Sequence, residues 1–203
     1  MKDTPLSSRP LLRRAALMLP NALTLCAILC GLTSIRLSGE GRFALAAVAI
    51  FAAVALDTAD GLAARLLSAA SAIGAELDSL ADFVNFGVAP ALLLYWSDLI
   101  RLGVAGWLAA AAYVLAAGWR LARFNVHSKT SRGDAPNWFS GLPTTAAAAA
   151  VSLAHILAAA VLRPPAASIV MTAIVIAAGA LMLSTLRVPA PFKRYGSGSR
   201  QSG

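Results

Sequence analysis

Of the nine acidic residues in this 203-residue chain, five lie close together: Asp57, Asp60, Glu76, Asp78 and Asp82. The stretches around them are apolar, and a carboxylate among apolar residues of a membrane helix is costly unless it is paired, hydrated or bound to a cation. Asp57 and Asp60 are three residues apart and Asp78 and Asp82 four, so each pair projects from one face of a helix. If the chain turns over near residues 66–73, the two helices run antiparallel, with Asp57 level with Asp82 and Asp60 level with Asp78. At a rise of about 1.5 Å per residue the four carboxylates then meet roughly 12 Å below the helix ends. A site built from carboxylate oxygens, with no convergent histidine or thiolate, suits hard divalent ions, Mg²⁺ or Mn²⁺, rather than zinc, and four aspartates offer ligands for two ions. Such ions commonly hold phosphate oxygens, and Arg65 is placed to grip a phosphate or diphosphate with a fork of two N–H groups. Phosphoryl chemistry is therefore the leading reading. A buried salt-bridge network does not fit, because one arginine cannot neutralise five acids. The ion site of a small cation transporter remains as a rival, although transporters more often show repeated halves with broken helices.

The elements that must carry these residues are membrane helices. The chain is 59% hydrophobic and only 13% charged, with a mean hydropathy of +0.73, which excludes an ordinary soluble domain. Apolar runs bounded by Gly, Pro and charge predict helices near 20–36, 43–66, 74–97, 103–124, 142–162 and 166–186. The expected fold is all-α, a polytopic bundle of six transmembrane helices. Its parts are a basic N-terminal segment over 1–19 that lies on the membrane surface as an amphipathic helix, a catalytic bundle over 20–190 and a flexible Gly/Ser-rich tail over 191–203. Alanine runs such as Ala146 to Ala150 predict close helix packing. Cys26 and Cys30, on one helix face, read as packing residues rather than a disulfide.

The net charge of +8 is not the mark of a nucleic-acid binder, because its basic residues flank the apolar runs. Twelve of the seventeen Lys and Arg residues lie before span one, between spans four and five, and after span six. The opposite connections hold Arg36, Arg42, Arg101 and Arg163. This asymmetry predicts that both termini and the mouth of the aspartate cluster are cytoplasmic. No cleavable leader is expected, since the first apolar run continues as a full span. Trp96, Trp107, Trp119 and Trp138 fall mostly toward span ends, as interfacial residues do. His127 reads as solvated, and His155 as a packing or interhelical hydrogen-bonding residue.

The run Asp57-x-x-Asp60-Gly61-x-x-Ala64-Arg65, then eight residues, then Gly74-x-x-x-Asp78-x-x-x-Asp82, resembles the complete signature of the CDP-alcohol phosphatidyltransferase family. Further stretches are similar to bacterial, serine-accepting members: Pro20-Asn21, Asn85 to Pro90, Ala122-Arg123-Phe124-Asn125 and Gly141-Leu142-Pro143. Leu62 and Thr144-Thr145 depart from those members. The resemblance implies six spans, two divalent ions held by Asp57, Asp60, Asp78 and Asp82, and a homodimer in the bacterial inner membrane. It also implies that Asp60, Gly61, Ala64, Arg65, Gly74 and Asp78 bind CDP-diacylglycerol, with Asp82 as general base. The phosphatidyl group would pass to L-serine, whose carboxylate Arg120 or Arg123, with Asn125, would receive. Glycerol 3-phosphate, an inositol phosphate and choline remain alternative acceptors.

Overall fold

The computed structural model describes residues 10–68, 71–130, 138–163, 165–184 and 187–189. Within these the chain is a bundle of helices, six of which are long and apolar enough to cross a membrane: Met18–Gly39, Phe43–Leu66, Ala72–Ser97, Val104–Val126, Thr144–Val161 and Ala166–Leu183. All six expected spans are present, with ends within a few residues of those read from hydropathy. Span one belongs to a longer helix, α1 (Pro10–Gly39), so the chain from Pro10 onward continues the first helix instead of forming one of its own. Residues 1–9 and the tail from residue 190 lie outside the described residues. So do the side chains of His127 and Trp138.

Span two is the single helix α2 (Phe43–Leu66), whereas span three is built from three pieces. These are α3 (Ala72–Asp82), a π-helical turn (Phe83–Val88) and α4 (Ala89–Ser97). Ser71 starts α3 by accepting the Gly74 backbone N–H on its side chain at 2.9 Å, which satisfies one of the donors that a helix start leaves orphaned. After a short 3₁₀ turn (Leu99–Leu102), α5 (Val104–Thr130), α6 (Thr144–Val161) and α7 (Ala166–Leu183) complete the bundle. Two three-residue segments, β1 (Trp138–Ser140) and β2 (Arg187–Pro189), pair antiparallel beside the ends of α6 and α7.

Span three lies between two cores. One gathers Ala46, Ala47, Ile50 and Ala53 of span two around Phe86, Ala89 and Leu93. The other joins Leu94 and Leu99 to Tyr113 and Ala117 of span four, Val151 of span five and Met171, Val175 and Met182 of span six. Alanine packs as expected: Ala147 and Ala148 are fully buried, and small side chains let the backbones approach closely where apolar burial offers little gain. Large apolar residues such as Leu29, Val48, Leu115, Leu157 and Ile176 instead point outward, where lipid replaces water as their solvent. Cys30 packs against the span-two core, but Cys26 is exposed, and both thiols are free. Only one of the two cysteines is therefore a packing residue.

The end of span six is closed by its neighbours. Arg123 of α5 donates to the carbonyls of Met182, Leu183 and Ser184 at 3.2–3.4 Å, and the Leu142 N–H donates to Leu181 O. Gly141, at φ +78°, sits so near these carbonyls that a Cβ would lie 2.8 Å from Ser184 O. Only glycine fits there, for reasons of backbone conformation and of space together. The last carbonyls of a helix have no partner within it, and a guanidinium suits the negative end of the helix dipole.

At the far end of span three from the aspartates, Asp98 meets His155 of α6. Its Oδ2 accepts from His155 Nδ1 at 2.8 Å and from the Ser97 hydroxyl at 2.7 Å, and Phe43 stands edge-on to the imidazole at 6.1 Å. Burial would raise the Asp98 pKa, but these hydrogen bonds and the nearby charges of His155 and Arg101 hold it below the usual carboxylate value. His155 is the interhelical hydrogen-bonding residue that the sequence suggested.

Candidate functional site

Spans two and three pack closely over the π-turn and α4 but scarcely along α3. The gap between them is where the acids converge. Asp57, Asp60 and Asp78 each present a carboxylate oxygen within 4.8 Å of the other two. Asp82 joins from one turn further along span three, its carboxyl close to that of Asp57. The antiparallel hairpin thus brings Asp57, Asp60 and Asp78 together, with Asp82 beside Asp57. Glu76 is not part of this group.

Span one supplies the third wall. The Thr24 hydroxyl donates to Asp60 Oδ2 at 2.6 Å, fixing the carboxylate that is most buried, at 4% exposure. Beside it opens a cavity of about 160 Å³, lined by Pro20, Asn21 and Thr24 of α1, Asp60, Gly61 and Ala64 of α2, and Ser71, Gly74, Ala75 and Asp78. Five of the six residues expected to receive the CDP-lipid line it, all but Arg65. Arg65 instead donates its Nε to Gly61 O at 3.0 Å and lies against the last turn of α2, at the rim. Gly74 is what admits span one so near: a Cβ there would lie 2.9 Å from both Asn21 Oδ1 and Ser71 Oγ.

Thr24 carries no signal in the sequence that marks it as a site residue. A threonine in an apolar helix can satisfy its hydroxyl on a carbonyl four residues back, and Pro20 O lies within that reach, 3.0 Å from Thr24 Oγ1, though the shorter bond goes to Asp60. Only the packing of span one against span two reveals its second partner. Pro20-Asn21 was legible as a motif, but not as a wall of this cavity.

Among the described residues, no lysine, arginine or histidine forms an ion pair with Asp57, Asp60, Asp78 or Asp82. Four carboxyl groups gathered at membrane depth with no ion-pair partner among the described residues fit an ion taken from outside. An ion with metal–oxygen bonds of about 2.1 Å spans about 4.2 Å between opposite ligands, so the three oxygens need move only slightly to close around it. Asp82 Oδ1 is buried and has no hydrogen-bond partner, which leaves its lone pairs available.

The three residues expected at the acceptor are placed differently from one another. Arg120 is 8% exposed, feels the charge of Asp82, and has its buried Nε without a partner. Arg123 is engaged at the end of span six. The Asn125 amide donates to Ser79 Oγ at 2.9 Å, tying the end of α5 to the helix that carries Asp78 and Asp82.

A family model described as CDP-alcohol phosphatidyltransferase matches residues 17–186. Three relatives named CDP-diacylglycerol–serine O-phosphatidyltransferase illustrate the range of similarity. The one from Mycobacterium leprae (strain TN) is 44% identical over 72% of this chain and 50% of its own. That from Helicobacter pylori (strain J99 / ATCC 700824) is 37% identical over 85% and 72%. That from Bacillus subtilis (strain 168) is 32% identical over 91% and 97%. The chain therefore spans about half the length of its mycobacterial relatives and nearly all of the Bacillus one.

Proposed function

The chain belongs to the CDP-alcohol phosphatidyltransferase family, and from this premise we propose that it transfers the phosphatidyl group of CDP-diacylglycerol to the hydroxyl of L-serine, giving phosphatidylserine and CMP. The observation that carries the reading is the convergence of Asp57, Asp60 and Asp78 within 4.8 Å beside a cavity walled by Gly61, Ala64 and Gly74. The names of the relatives favour serine as the acceptor.

In this reading Asp57, Asp60, Asp78 and Asp82 hold two divalent ions, Mg²⁺ or Mn²⁺. When bound, such ions neutralise the diphosphate and make CMP a better leaving group. The protein's own groups do the rest. The small Gly61, Ala64 and Gly74 let the nucleotide lie against the backbone, with Arg65 closing on a phosphate from the rim. Asp82 Oδ1 takes the proton from the serine hydroxyl, whose oxygen attacks the lipid-linked phosphorus. Arg120 receives the serine carboxylate through a charge-assisted hydrogen bond, while Arg123 and Asn125 hold the helix ends around it. The assembly is a homodimer in the bacterial inner membrane, with the cleft and both termini cytoplasmic, as the distribution of Lys and Arg favours.

Release of CMP from CDP-diacylglycerol by the purified protein, with Mg²⁺ or Mn²⁺ and each acceptor in turn, tests this. Release with serine alone is the expected result. Release only with glycerol 3-phosphate, an inositol phosphate or choline would change the acceptor, and metal binding without any release would move the site toward ion transport.

A further inference from the structure

Span three changes its helical form in the residue after Asp82. The π-turn Phe83–Val88 holds Asn85, Phe86 and Gly87 in the interior, and a turn of this kind takes one residue more than an α-helix, roughly 100° of rotation. Pro90 has no N–H to offer the Phe86 carbonyl four residues before it, and in lipid a carbonyl without its helical donor must find another. Tyr113 of α5 provides one: its hydroxyl donates to Phe86 O at 3.2 Å, and the residue is 1% exposed. A phenylalanine would fill the same apolar space, so the hydroxyl at this depth is explained by that bond.

Two close contacts seat the turn further. The Phe83 ring lies where a Cβ on Gly118 would come within 3.2 Å of it. On the other side, Asn85 presses against Gly31 of span one with no space for a Cβ. Below the turn, α4 is fastened by buried Leu93 and Leu94 and by the Asp98–His155 bond. Above it, α3 touches span two only sparsely and is tied instead to span one and, through Ser79 and Asn125, to α5. If the turn relaxed to α-helix, the rotation would fall on the half that carries Asp78 and Asp82.

We propose that the π-turn Phe83–Val88 is a positioning element for the aspartate cluster and that Tyr113, through its hydroxyl on Phe86 O, is the positioning residue that holds it. The wide turn aims Asp82 at Asp57 while leaving α4 free to present a different face to the two cores. This rests on the reading of Asp57, Asp60, Asp78 and Asp82 as a metal site. Tyr113 itself touches neither metal ligand nor substrate.

The test is Tyr113→Phe, read by Mn²⁺ binding in electron paramagnetic resonance, by kcat and KM for CMP release, and by thermal melting. Loss of an outer support of a metal site weakens metal affinity or turnover by roughly tenfold or more, and this is expected for both Mn²⁺ affinity and kcat, with the KM for serine nearly unchanged. Introducing 4-aminophenylalanine at position 113, which keeps a donor at the same reach, should restore both. Unchanged Mn²⁺ affinity and kcat in Tyr113→Phe would overturn the proposal. If Tyr113→Phe melts too low to assay, the 4-aminophenylalanine protein decides, since recovered folding without recovered Mn²⁺ affinity overturns it as well. Should the unaltered protein release no CMP with any acceptor, the reaction assigned above fails, while Mn²⁺ binding still reports on the turn.

Discussion

Among the four aspartates the environment distributes the work. Asp60 is buried and held by Thr24, Asp57 stands beside it on the same helix, Asp78 faces both across the gap, and Asp82 keeps an unpartnered oxygen. Substituting Asp82→Asn retains shape while removing the base. Turnover should fall by about 10²–10⁴-fold, with CDP-diacylglycerol binding largely kept, as single-turnover assays and lipid-binding titrations would measure; near-normal turnover would remove Asp82 from the base role. The two arginines of span four, indistinguishable by position alone, should also separate. Arg120→Ala is expected to raise the KM for serine by roughly thirtyfold, the equivalent of about 2 kcal/mol for a lost charge-assisted bond. Arg123→Ala should leave that KM within about twofold and instead lower the melting temperature, because uncapping span six costs stability, not recognition. The opposite pattern would exchange their assignments.

Helices position this chemistry by where they let one another approach. Gly74 admits Asn21, and Gly74→Ala would push Asn21 and Ser71 out of the cavity they line. A few-fold rise in the KM for CDP-diacylglycerol with little change in melting is the expected outcome, and an unchanged KM would place the nucleotide elsewhere. At the other end of span three, the depressed pKa of Asp98 carries a stability prediction with a definite sign. A carboxylate whose folded pKa lies below its unfolded value of about 3.9 stabilises the fold above that pH, and the contribution is lost as pH falls through the folded pKa. Asp98→Asn should therefore melt below the unaltered protein at neutral pH, and the gap should close on acidification below about pH 4. A gap that persists in acid would mean that packing of Asp98, rather than its charge, joins spans three and five.

For the molecule as a whole, orientation is the testable consequence of charge distribution. Single cysteines placed after span six should be protected from impermeant thiol reagents in intact cells, and ones placed near Arg101 should be labelled; the reverse would overturn the orientation. Six spans and the helical hairpin that gathers Asp57, Asp60 and Asp78 were both legible in the sequence. Each follows from local periodicity and rise per residue, which act over one or two turns. The wall built by Asn21 and Thr24, the separate tasks of Arg120, Arg123 and Asn125, and the π-turn held by Tyr113 were not. They depend on which faces of distant helices meet, and apolar patterning cannot choose among faces in a lipid solvent, where every side of a span is apolar. The sequence by itself determined that an aspartate-rich hairpin sits inside a membrane bundle. Only the tertiary structure decided which neighbouring spans hold that hairpin in shape, because that choice is made by close packing of small residues and by hydrogen bonds between spans.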